Sequence, residues 1–412
     1  MTDPIKACRI CGNDNLVEIL DLGIQKLTGT FPHAPDPDLT EGPLLLVKCT
    51  GSDACGLVQL DRSYDLGEMY GENYGYRSGL NQSMVEHLRN KVGRIRALNL
   101  LKPGDLVVDI GSNDGTTLGF YKGAGLTLVG VDPTAEKFRK YYPEDVNIVP
   151  DFFTARLIGE RFPGRKARVV TSFSMFYDLE DPLAFMREVA GILEDDGIWV
   201  FEQSYLPTML ARNSYDTVCH EHIEFYALAQ INWMAERAGL VIRDVEFNDV
   251  NGGSFSVTVG KTGGASQSPV AAELLEQEES GGIPSLEVYR EFARRTERLR
   301  SELVAFVKAA RDEGKVVAAL GASTKGNVLL QYCGLGADLI TAIGEVNPDK
   351  YGCVTPGTWI PIVPQDDLLR QKPDYLLVLP WHFRDFFIKS ERLADFTLLF
   401  PLPELELVPP RS

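Results

Sequence analysis

The stretch LKPGDLVVDIGSNDGTTLGFYKGAGLTLVGVDPTAEKFRK, residues 101–140, decides the fold of this chain. Its apolar run Leu106–Ile110 predicts a short buried strand, followed by a tight turn over Gly111–Gly115 and a helix that begins near Thr116. A second apolar strand ends at Asp132, where a carboxylate can bind both ribose hydroxyls of a nucleoside. This order predicts a doubly wound α/β sheet whose ligand crevice lies at the carboxyl ends of the strands.

The composition of the glycine turn separates two classes of cofactor. A dinucleotide site needs Gly-x-Gly-x-x-Gly so that the backbone can approach a pyrophosphate. Here Asn113 and Asp114 occupy the turn and Asp109 precedes it, which favours a cationic, phosphate-free ligand such as S-adenosylmethionine over a dinucleotide. An α/β sheet that binds no nucleotide is the alternative. Asp151, at the end of the third strand, is placed to reach an adenine amino group, with Phe152 beside the ring. The predicted cofactor-binding residues are Asp109, Gly111, Asn113, Asp114, Gly115, Asp132, Asp151, Phe152 and Ser172.

Length and charge limit the remaining possibilities. A chain of 412 residues exceeds one ordinary core, so two or three domains are expected. The formal net charge of −17 argues against sequence-independent binding to nucleic acid, which needs a clustered basic face. The sequence has no apolar run near the roughly 20 residues of a membrane span, and its first residues lack the apolar core of a signal peptide. We therefore expect a cytoplasmic protein that binds neither membranes nor nucleic acid.

Four of the seven cysteines lie within the first 55 residues, and the odd total argues against a disulfide framework. Cys8 and Cys11 have the usual spacing of a zinc knuckle, whereas Cys49 and Cys55 are separated by the longer stretch TGSDA. Two such pairs predict a four-thiolate structural zinc site, with unliganded thiols as the alternative. Four thiolates would leave no coordination position for a substrate.

The segment YDTVCHEHIEFY, residues 215–226, gathers titratable groups where a loop should follow a strand. His220 and His222 could ligate a metal with Glu221 or Glu224, form a structural pair, or act in acid/base catalysis. Their i, i+2 spacing differs from the i, i+4 spacing of helical zinc sites. Acid/base chemistry is favoured because imidazole titrates near neutrality and a neighbouring carboxylate sets its tautomer. Ser174, Tyr177 and Glu202 follow other strands and are expected at the same cleft.

The C-terminal part repeats the strand, glycine turn and helix pattern. After a charged helical stretch, residues 270–315, the sequence KVVAALGASTKGN places Ser323 and Thr324 at a helix N-terminus suited to an anion. Lys325 is then placed to meet a diphosphate, with Lys350 as a second candidate; a plain helix cap with a solvated lysine is the alternative. The segment PWHFRD (Trp381, His382 and Arg384) could line the same cleft.

Six motifs in order resemble a known family: YGYRSG, VDIGSNDGT, HEHIEFY, NGGSFSV, GASTKGN and NPDKYGCVTPGTWIPI. They are similar to those of the S-adenosylmethionine-dependent 3-C-methyltransferases of nucleotide-linked 4-keto-deoxyhexoses, over nearly the whole chain. The resemblance implies an α/β protein with a small N-terminal zinc-binding domain, a central class I methyltransferase Rossmann-like domain and a C-terminal Rossmann-like domain. We place the limits at 1–66 for the zinc domain, 67–262 for the methyltransferase domain, 263–313 for a helical linker and 314–412 for the C-terminal domain.

The resemblance also implies a reaction, in which the enzyme removes a proton from the carbon next to the sugar ketone and methylates the enolate. His222 matches the proposed base of the family, Glu221 its acidic partner and Tyr76 a tyrosine at the sugar. One branch of the family has tyrosine in place of Cys219, histidine in place of Tyr177 and an acidic residue in place of His220, which suggests the same reaction on a different sugar. Tyr76 or Tyr177 could stabilise the enolate oxygen.

The predicted sites follow from these matches. The catalytic residues are His222, Glu221, Tyr76 and Tyr177, and the substrate-binding residues are Lys325, Ser323, Thr324, His220 and Cys219. The expected partner is a nucleotide diphosphate sugar, the cofactors are S-adenosylmethionine and zinc, and the resemblance leans towards a monomer. O-Methylation of a sugar or natural-product hydroxyl is the alternative reaction. A recognition module carried by an inactive Rossmann pair is the alternative outside enzymes.

Overall fold

The structure, a computed structural model, describes residues 3–65, 67, 77–264 and 267–411. Its N-terminal sheet is antiparallel, in the order β1-β2-β3-β9. The strands are β1 (Leu16–Lys26), β2 (Glu41–Cys49), β3 (Val58–Leu60) and β9 (Glu224–Phe225). Because β9 belongs to the segment with the two histidines, that segment is joined to the N-terminal sheet by backbone hydrogen bonds.

The central sheet has the order β10-β11-β8-β7-β4-β5-β6. Neighbouring strands from β8 to β6 are parallel, and β10 and β11 form an antiparallel hairpin at one edge. The strands are β4 (Leu106–Ile110), β5 (Thr127–Val131), β6 (Val146–Val149), β7 (Ala167–Phe173), β8 (Leu193–Ser204), β10 (Leu240–Asn248) and β11 (Ser254–Lys261). The predicted doubly wound sheet is confirmed, including both strands of its opening motif.

Helices alternate with the strands of the central sheet along the chain. They are α1 (Gln82–Ala97), α2 (Thr116–Gly119), α3 (Ala135–Phe138), α4 (Ala155–Arg161), α5 (Pro182–Ile192), α6 (Leu206–Ala211) and α7 (Leu228–Arg237). The start of α2 at Thr116 is as predicted. The Asn81 side chain caps α1 by accepting a hydrogen bond from the backbone N–H of Ser83.

The C-terminal sheet has the order β14-β13-β12-β15-β16-β17, parallel except for its last strand. Its strands are β12 (Val317–Leu320), β13 (Ile343–Glu345), β14 (Ile362–Pro364), β15 (Tyr375–Val378), β16 (Thr397–Phe400) and β17 (Glu406–Val408). Its helices are α10 (Thr324–Cys333), α11 (Gln365–Arg370) and α12 (Arg384–Lys389). This second α/β unit is as the repeated pattern predicts.

Two helices, α8 (Pro269–Ser280) and α9 (Glu287–Asp312), connect the two larger sheets. The outer face of α9 carries ion pairs, as the charge pattern predicts, but its inner face is deeply buried. Phe292, Leu299 and Leu303 are at most 2% exposed and belong to the core of the C-terminal sheet. Burial of each such side chain contributes about 1.5–3 kcal/mol to stability. The segment therefore packs into a core as well as connecting the two sheets.

In the described part of the chain, the three sheets occupy residues 16–60, 106–261 and 317–408, and β9 lies within the second range but pairs with the first sheet. The four domain limits given above stay predictions. None of the helices in the described ranges has the combined length and apolar character needed to cross a membrane.

Candidate active site

The four N-terminal cysteines come together at the end of β2. The sulfurs of Cys8 and Cys55 are 3.5 Å apart, as are those of Cys11 and Cys49, and all four lie within 4.8 Å of one another. A tetrahedral zinc with Zn–S bonds of about 2.3 Å places its sulfurs about 3.8 Å apart, so the cluster fits zinc. Asn13 Nδ2 lies 3.2 Å from Cys49 Sγ and orients this ligand.

The two histidines of residues 215–226 are not part of a comparable cluster. Within the described residues, the four cysteines are the one group of three or more potential ligands that gathers closely enough to hold a metal. The metal-binding interpretation of His220 and His222 therefore has no support from the geometry.

The glycine turn at the carboxyl end of β4 has backbone conformations that require glycine. Gly111 has φ 72° and Gly115 has φ 75°, both in the left-handed region. A Cβ atom on Gly115 would lie 2.6 Å from the ring of Tyr142, and one on Gly111 would lie 3.0 Å from Met175. The turn therefore brings bare backbone to the crevice above the strand ends, where a cofactor can approach closely.

Asp132 lies at the end of β5, next to this turn. Its carboxylate accepts hydrogen bonds from the backbone N–H of Asn113 at 2.8 Å and of Thr134 at 2.7 Å, and from the Thr134 hydroxyl at 2.6 Å. A carboxylate has about four acceptor sites, so these bonds orient Asp132 and leave capacity for ribose hydroxyls. Asp151 and Phe152 follow β6 and are both exposed, Phe152 by 54%.

Three other predicted cofactor residues direct their side chains into the protein. Asp109 accepts a hydrogen bond from the Thr171 hydroxyl at 2.5 Å, and burial raises its pKa to about 7. Ser172 is fully buried and accepts a hydrogen bond from the Trp199 indole at 3.0 Å. These placements correct the expectation that the two side chains reach the crevice, because both are inside the packed sheet.

The third residue, Asp114, binds a neighbouring segment. Its Oδ2 accepts from the Gly79 backbone N–H at 3.0 Å and pairs with the Arg77 guanidinium at 3.3 Å. The Ser78 backbone N–H also donates to the Asn113 side chain at 3.0 Å. The expected attraction of Asp114 for a cationic ligand is therefore corrected, since Arg77 already neutralises this carboxylate. Tyr76, expected at the sugar, lies outside the described residues.

His222 follows the short helical turn Tyr215–Thr217 and contacts it through its ring. Its Nδ1 is 3.0 Å from the carbonyl oxygen of Thr217, and a carbonyl only accepts, so Nδ1 carries the proton and Nε2 is the acceptor in the neutral ring. Burial and then the positive charge of Lys325 lower the pKa of His222 to about 4, against the opposing effect of the hydrogen bond that His222 donates to the Thr217 carbonyl. The Tyr177 ring lies 4.3 Å from the imidazole, centroid to centroid. This arrangement presents a neutral imidazole beside a tyrosine.

Glu221 does not orient His222 as expected, because the Nδ1 partner is the Thr217 carbonyl. The Glu221 carboxyl lies instead beside Gly29 of the N-terminal unit and the thiol of Cys219. Burial raises its pKa. Glu221 is therefore a half-buried residue that precedes His222 in the sequence and is held by different neighbours.

His220 and Cys219 are buried behind the loop, which corrects their expected role in binding substrate. His220 is 1% exposed, and its Nδ1 lies 3.2 Å from the Thr28 hydroxyl and 3.3 Å from the Thr28 backbone nitrogen. The Tyr64 ring packs edge-on against it at 4.6 Å. Cys219 is fully buried, and burial raises its pKa well above the ordinary value. His220 thus matches the structural alternative.

Lys325, in the first turn of α10, extends towards the central sheet. Its Nζ donates to the carbonyl oxygen of Asn251 at 2.6 Å, and burial lowers its pKa while Asp216 opposes this shift. The alternative of a solvated lysine is therefore wrong. Ser323 acts as the N-cap, since its hydroxyl accepts from the Gly326 backbone N–H at 3.1 Å. Thr324 begins the helix beside it.

The three residues predicted from the segment around Trp381 differ in position: Trp381 and His382 lie in a buried polar cluster, whereas Arg384 does not. Trp381 donates its indole N–H to Asp216 at 2.7 Å, and His382 is close enough to Lys325 for that charge to lower its pKa, together with burial, to about 3. Arg384 pairs instead with Glu406 and does not contribute to the cleft. A buried polar cluster thus joins the central and C-terminal sheets.

Glu202, expected at the cleft, lies in a second polar cluster whose other members, His87, Lys91 and Asn248, were missed from the sequence. His87 Nε2 lies 2.6 Å from Glu202 Oε1, and Lys91 Nζ and Asn248 Nδ2 lie 3.0 Å and 2.9 Å from Oε2. Burial by itself would raise the pKa of Glu202. His87 and Lys91 outweigh burial and lower this pKa. The signal available was the i, i+4 spacing of His87 and Lys91, which places both on one face of α1. Ser174, whose N–H donates to the Glu202 carbonyl, lies beside it.

Comparisons with known proteins cover nearly the whole chain. The family described as "Putative zinc binding domain" matches residues 8–70, "Methyltransferase domain" matches 84–245 and "C-methyltransferase C-terminal domain" matches 249–403. The chain is 33% identical to the C-methyltransferase NovU of Streptomyces niveus over 419 residues, covering 99% of this chain and 98% of that protein.

Solved structures are similar over a smaller part. The CcbJ methyltransferase of Streptomyces caelestis has a TM-score of 0.33 at 14% identity, covering 42% of this chain and 89% of that one. The magnesium protoporphyrin IX methyltransferase of Synechocystis PCC 6803, with bound SAH, has a TM-score of 0.33 at 16% identity, covering 44% and 83%. At these scores we draw no argument from them.

Proposed function

Because this chain belongs to the S-adenosylmethionine-dependent C-methyltransferases with a zinc-binding N-terminal domain, we propose that it methylates a nucleotide-linked 4-keto-deoxysugar at C3. The enzyme class follows from the family. The sugar, the nucleotide diphosphate and the position are the proposal, and they rest on the chemistry that the cleft can perform. The predicted monomeric state and cytoplasmic location stay predictions.

The observation that carries the proposal is the hydrogen bond from His222 Nδ1 to the Thr217 carbonyl. This bond selects the tautomer whose Nε2 has a free lone pair, which a general base needs. A hydrogen on carbon next to a ketone is acidic only when the enolate oxygen is stabilised. His222 thus takes the C3 proton on Nε2, while a donor or cation in the same cleft stabilises the oxygen.

Two groups are suited to that stabilisation. The Tyr177 hydroxyl is on a ring packed against His222, and the Lys325 ammonium interacts electrostatically with the same imidazole. A preorganised donor in a cleft of low dielectric typically contributes about 10²–10³-fold to rate. The N-terminus of α10, capped by Ser323, offers the positive end of a helix to the substrate diphosphate.

The cofactor is proposed to bind at the glycine turn and the carboxyl ends of β5 and β6. When bound, S-adenosylmethionine supplies an electrophilic methyl group on a sulfonium sulfur. The glycine turn offers bare backbone, Asp132 offers an oriented carboxylate, and Asp151 with Phe152 offers a site for an adenine ring. The zinc held by the four cysteines is structural, because four thiolates close its coordination sphere.

Mass spectrometry tests the proposal. Purified protein is incubated with S-adenosylmethionine and a panel of nucleotide-linked 4-keto-6-deoxysugars, and one sugar is expected to gain a methyl group. His222→Asn should abolish product while S-adenosylmethionine binding, measured by calorimetry, is unchanged. A fully active His222→Asn protein would exclude this base.

Deuterium exchange separates C-methylation from the O-methylation alternative. In D₂O and without cofactor, the wild-type protein should exchange the C3 hydrogen of the accepted sugar, because proton removal precedes methyl transfer. Methylated product without any exchange, and with the new methyl on oxygen by fragmentation, would favour the hydroxyl acceptor.

A further inference from the structure

The connection between β1 and β2 lies between the other two units of the protein. The Thr28 hydroxyl and backbone nitrogen contact His220, and the Thr28 carbonyl accepts from the Asn327 side chain at 2.8 Å. Further along, the Pro32 carbonyl accepts from the Val354 backbone N–H at 2.8 Å. This connection therefore contacts both the histidine loop and the C-terminal unit.

Within that connection, Gly29 lies directly against the carboxyl group of Glu221. A Cβ atom at position 29 would be 2.0 Å from Glu221 Oε1 and 3.2 Å from its Cδ. Real carbon–oxygen contacts of this kind do not occur at 2.0 Å, so any larger residue must displace the carboxyl. Gly29 is not among the glycines with positive φ, so the requirement for glycine is steric.

The slot at Gly29 has a second wall. The Glu221 carboxyl also forms a hydrogen bond with the Cys219 side chain, so Gly29 and Cys219 both contact it. Glu221 immediately precedes His222, and the Cys219 carbonyl accepts the His222 backbone N–H at 3.1 Å. A displaced carboxyl would therefore lose its contact with Cys219, the residue whose carbonyl holds the His222 N–H.

We propose that Gly29 is a positioning residue for methyl transfer: its missing side chain creates the slot that holds the side chain of Glu221, the residue directly before His222. The zinc-bearing unit thereby forms part of the active site and is not an independent module. The inference rests on the proposed function, because it assumes that His222 is the base. It adds a residue that lies 192 positions before Glu221 in the sequence.

The expected effect is on turnover more than on folding. The methyl group introduced by Gly29→Ala meets the far end of a flexible side chain, so the carboxyl can swing away while the fold is kept. Displacement of a catalytic group by about 1 Å can cost about 100-fold in rate, so we expect kcat for Gly29→Ala to fall about 10- to 100-fold.

A double-variant cycle tests the proposal. Glu221→Asp shortens the side chain by one methylene and vacates the space that the methyl group introduced by Gly29→Ala needs. Gly29→Ala should therefore reduce kcat at least about tenfold more in the Glu221 background than in the Glu221→Asp background. The matched control is Gly191→Ala, because that glycine has no neighbour within 4 Å of a Cβ and should keep wild-type kcat.

Three further measurements accompany the cycle: S-adenosylmethionine affinity, zinc content and the pH profile of kcat. The first two should match wild type, and the pH profile of Gly29→Ala should shift because the environment of the Glu221 carboxyl changes. Equal losses in both backgrounds, or wild-type activity of Gly29→Ala, would overturn the proposal. If Gly29→Ala fails to fold, folding of the double variant supports the steric argument and its failure to fold overturns it. Absence of product from both wild type and Gly191→Ala would count against the proposed function instead.

Discussion

The charge state of His222 gives the sharpest prediction. Its pKa is lowered to about 4 by burial and then by the Lys325 ammonium. At pH 7 a group with a pKa of about 4 is protonated in about one molecule per thousand, so the base is fully available. An unperturbed imidazole, with a pKa near 6.5, would be about one-quarter protonated at pH 7. The acid limb of kcat/KM should therefore lie near pH 4 and not near pH 6.5.

Lys325→Met removes one of the two causes and keeps much of the side-chain volume. The positive charge of Lys325 repels a protonated His222. Its removal stabilises the imidazolium, so the pKa of His222 rises. Burial remains, so the acid limb should move to a value between about 4 and the unperturbed 6.5. One pKa unit corresponds to about 1.4 kcal/mol, which is the scale of the effect to be resolved.

The assay is kcat/KM for methyl transfer between about pH 4 and about pH 9, with each sample returned to about pH 7.5 to exclude unfolding. Because kcat/KM reports the free enzyme, the position of the limb is independent of any loss of substrate affinity in the variant. Lys308→Met, at an exposed position on α9, is the control and should leave the limb unchanged. A wild-type limb near pH 6.5, or the same limb in both enzymes, would refute the account of His222.

Three other outcomes are expected. Cys49→Ser should lose zinc by metal analysis and lower the melting temperature, since a structural site contributes folding free energy; retention of stoichiometric zinc would contradict the assignment. Leu303→Ala should lower the free energy of unfolding by about 2–5 kcal/mol in urea, whereas Glu302→Ala on the exposed face should change it by less than about 0.5 kcal/mol; similar losses would show that α9 is not packed as described. Glu202→Gln should cost about 1.5–3 kcal/mol in the same assay, because His87 loses a charged partner, and an unchanged midpoint would argue against that cluster.

Local features were predictable because they depend on neighbours along the chain. The period of the apolar residues determines that 106–110 is a strand, and the positive φ needed at Gly111 and Gly115 determines the turn. Paired spacing of thiolates likewise indicates the zinc cluster before any fold is known. The second Rossmann-like unit follows from the same rules, applied to the segment that begins at Val317.

Pairings between distant residues could not be predicted in this way. Adjacency in sequence suggested Glu221 as the partner of His222, yet Thr217 supplies the carbonyl at Nδ1 because the chain turns back on itself over residues 215–222. The same turn sends His220 to the N-terminal unit while His222 stays in the cleft.

The sequence by itself determined the elements, the cysteine ligands and the class of chemistry, since each depends on short-range spacing and residue type. Only the tertiary structure decided which side chains meet. Gly29 beside Glu221, Lys325 at the Asn251 carbonyl and His87 on Glu202 each join residues far apart in the chain. The physical reason is that hydrogen bonds and steric contacts act over a few ångströms of space, which only the packing of the three sheets defines.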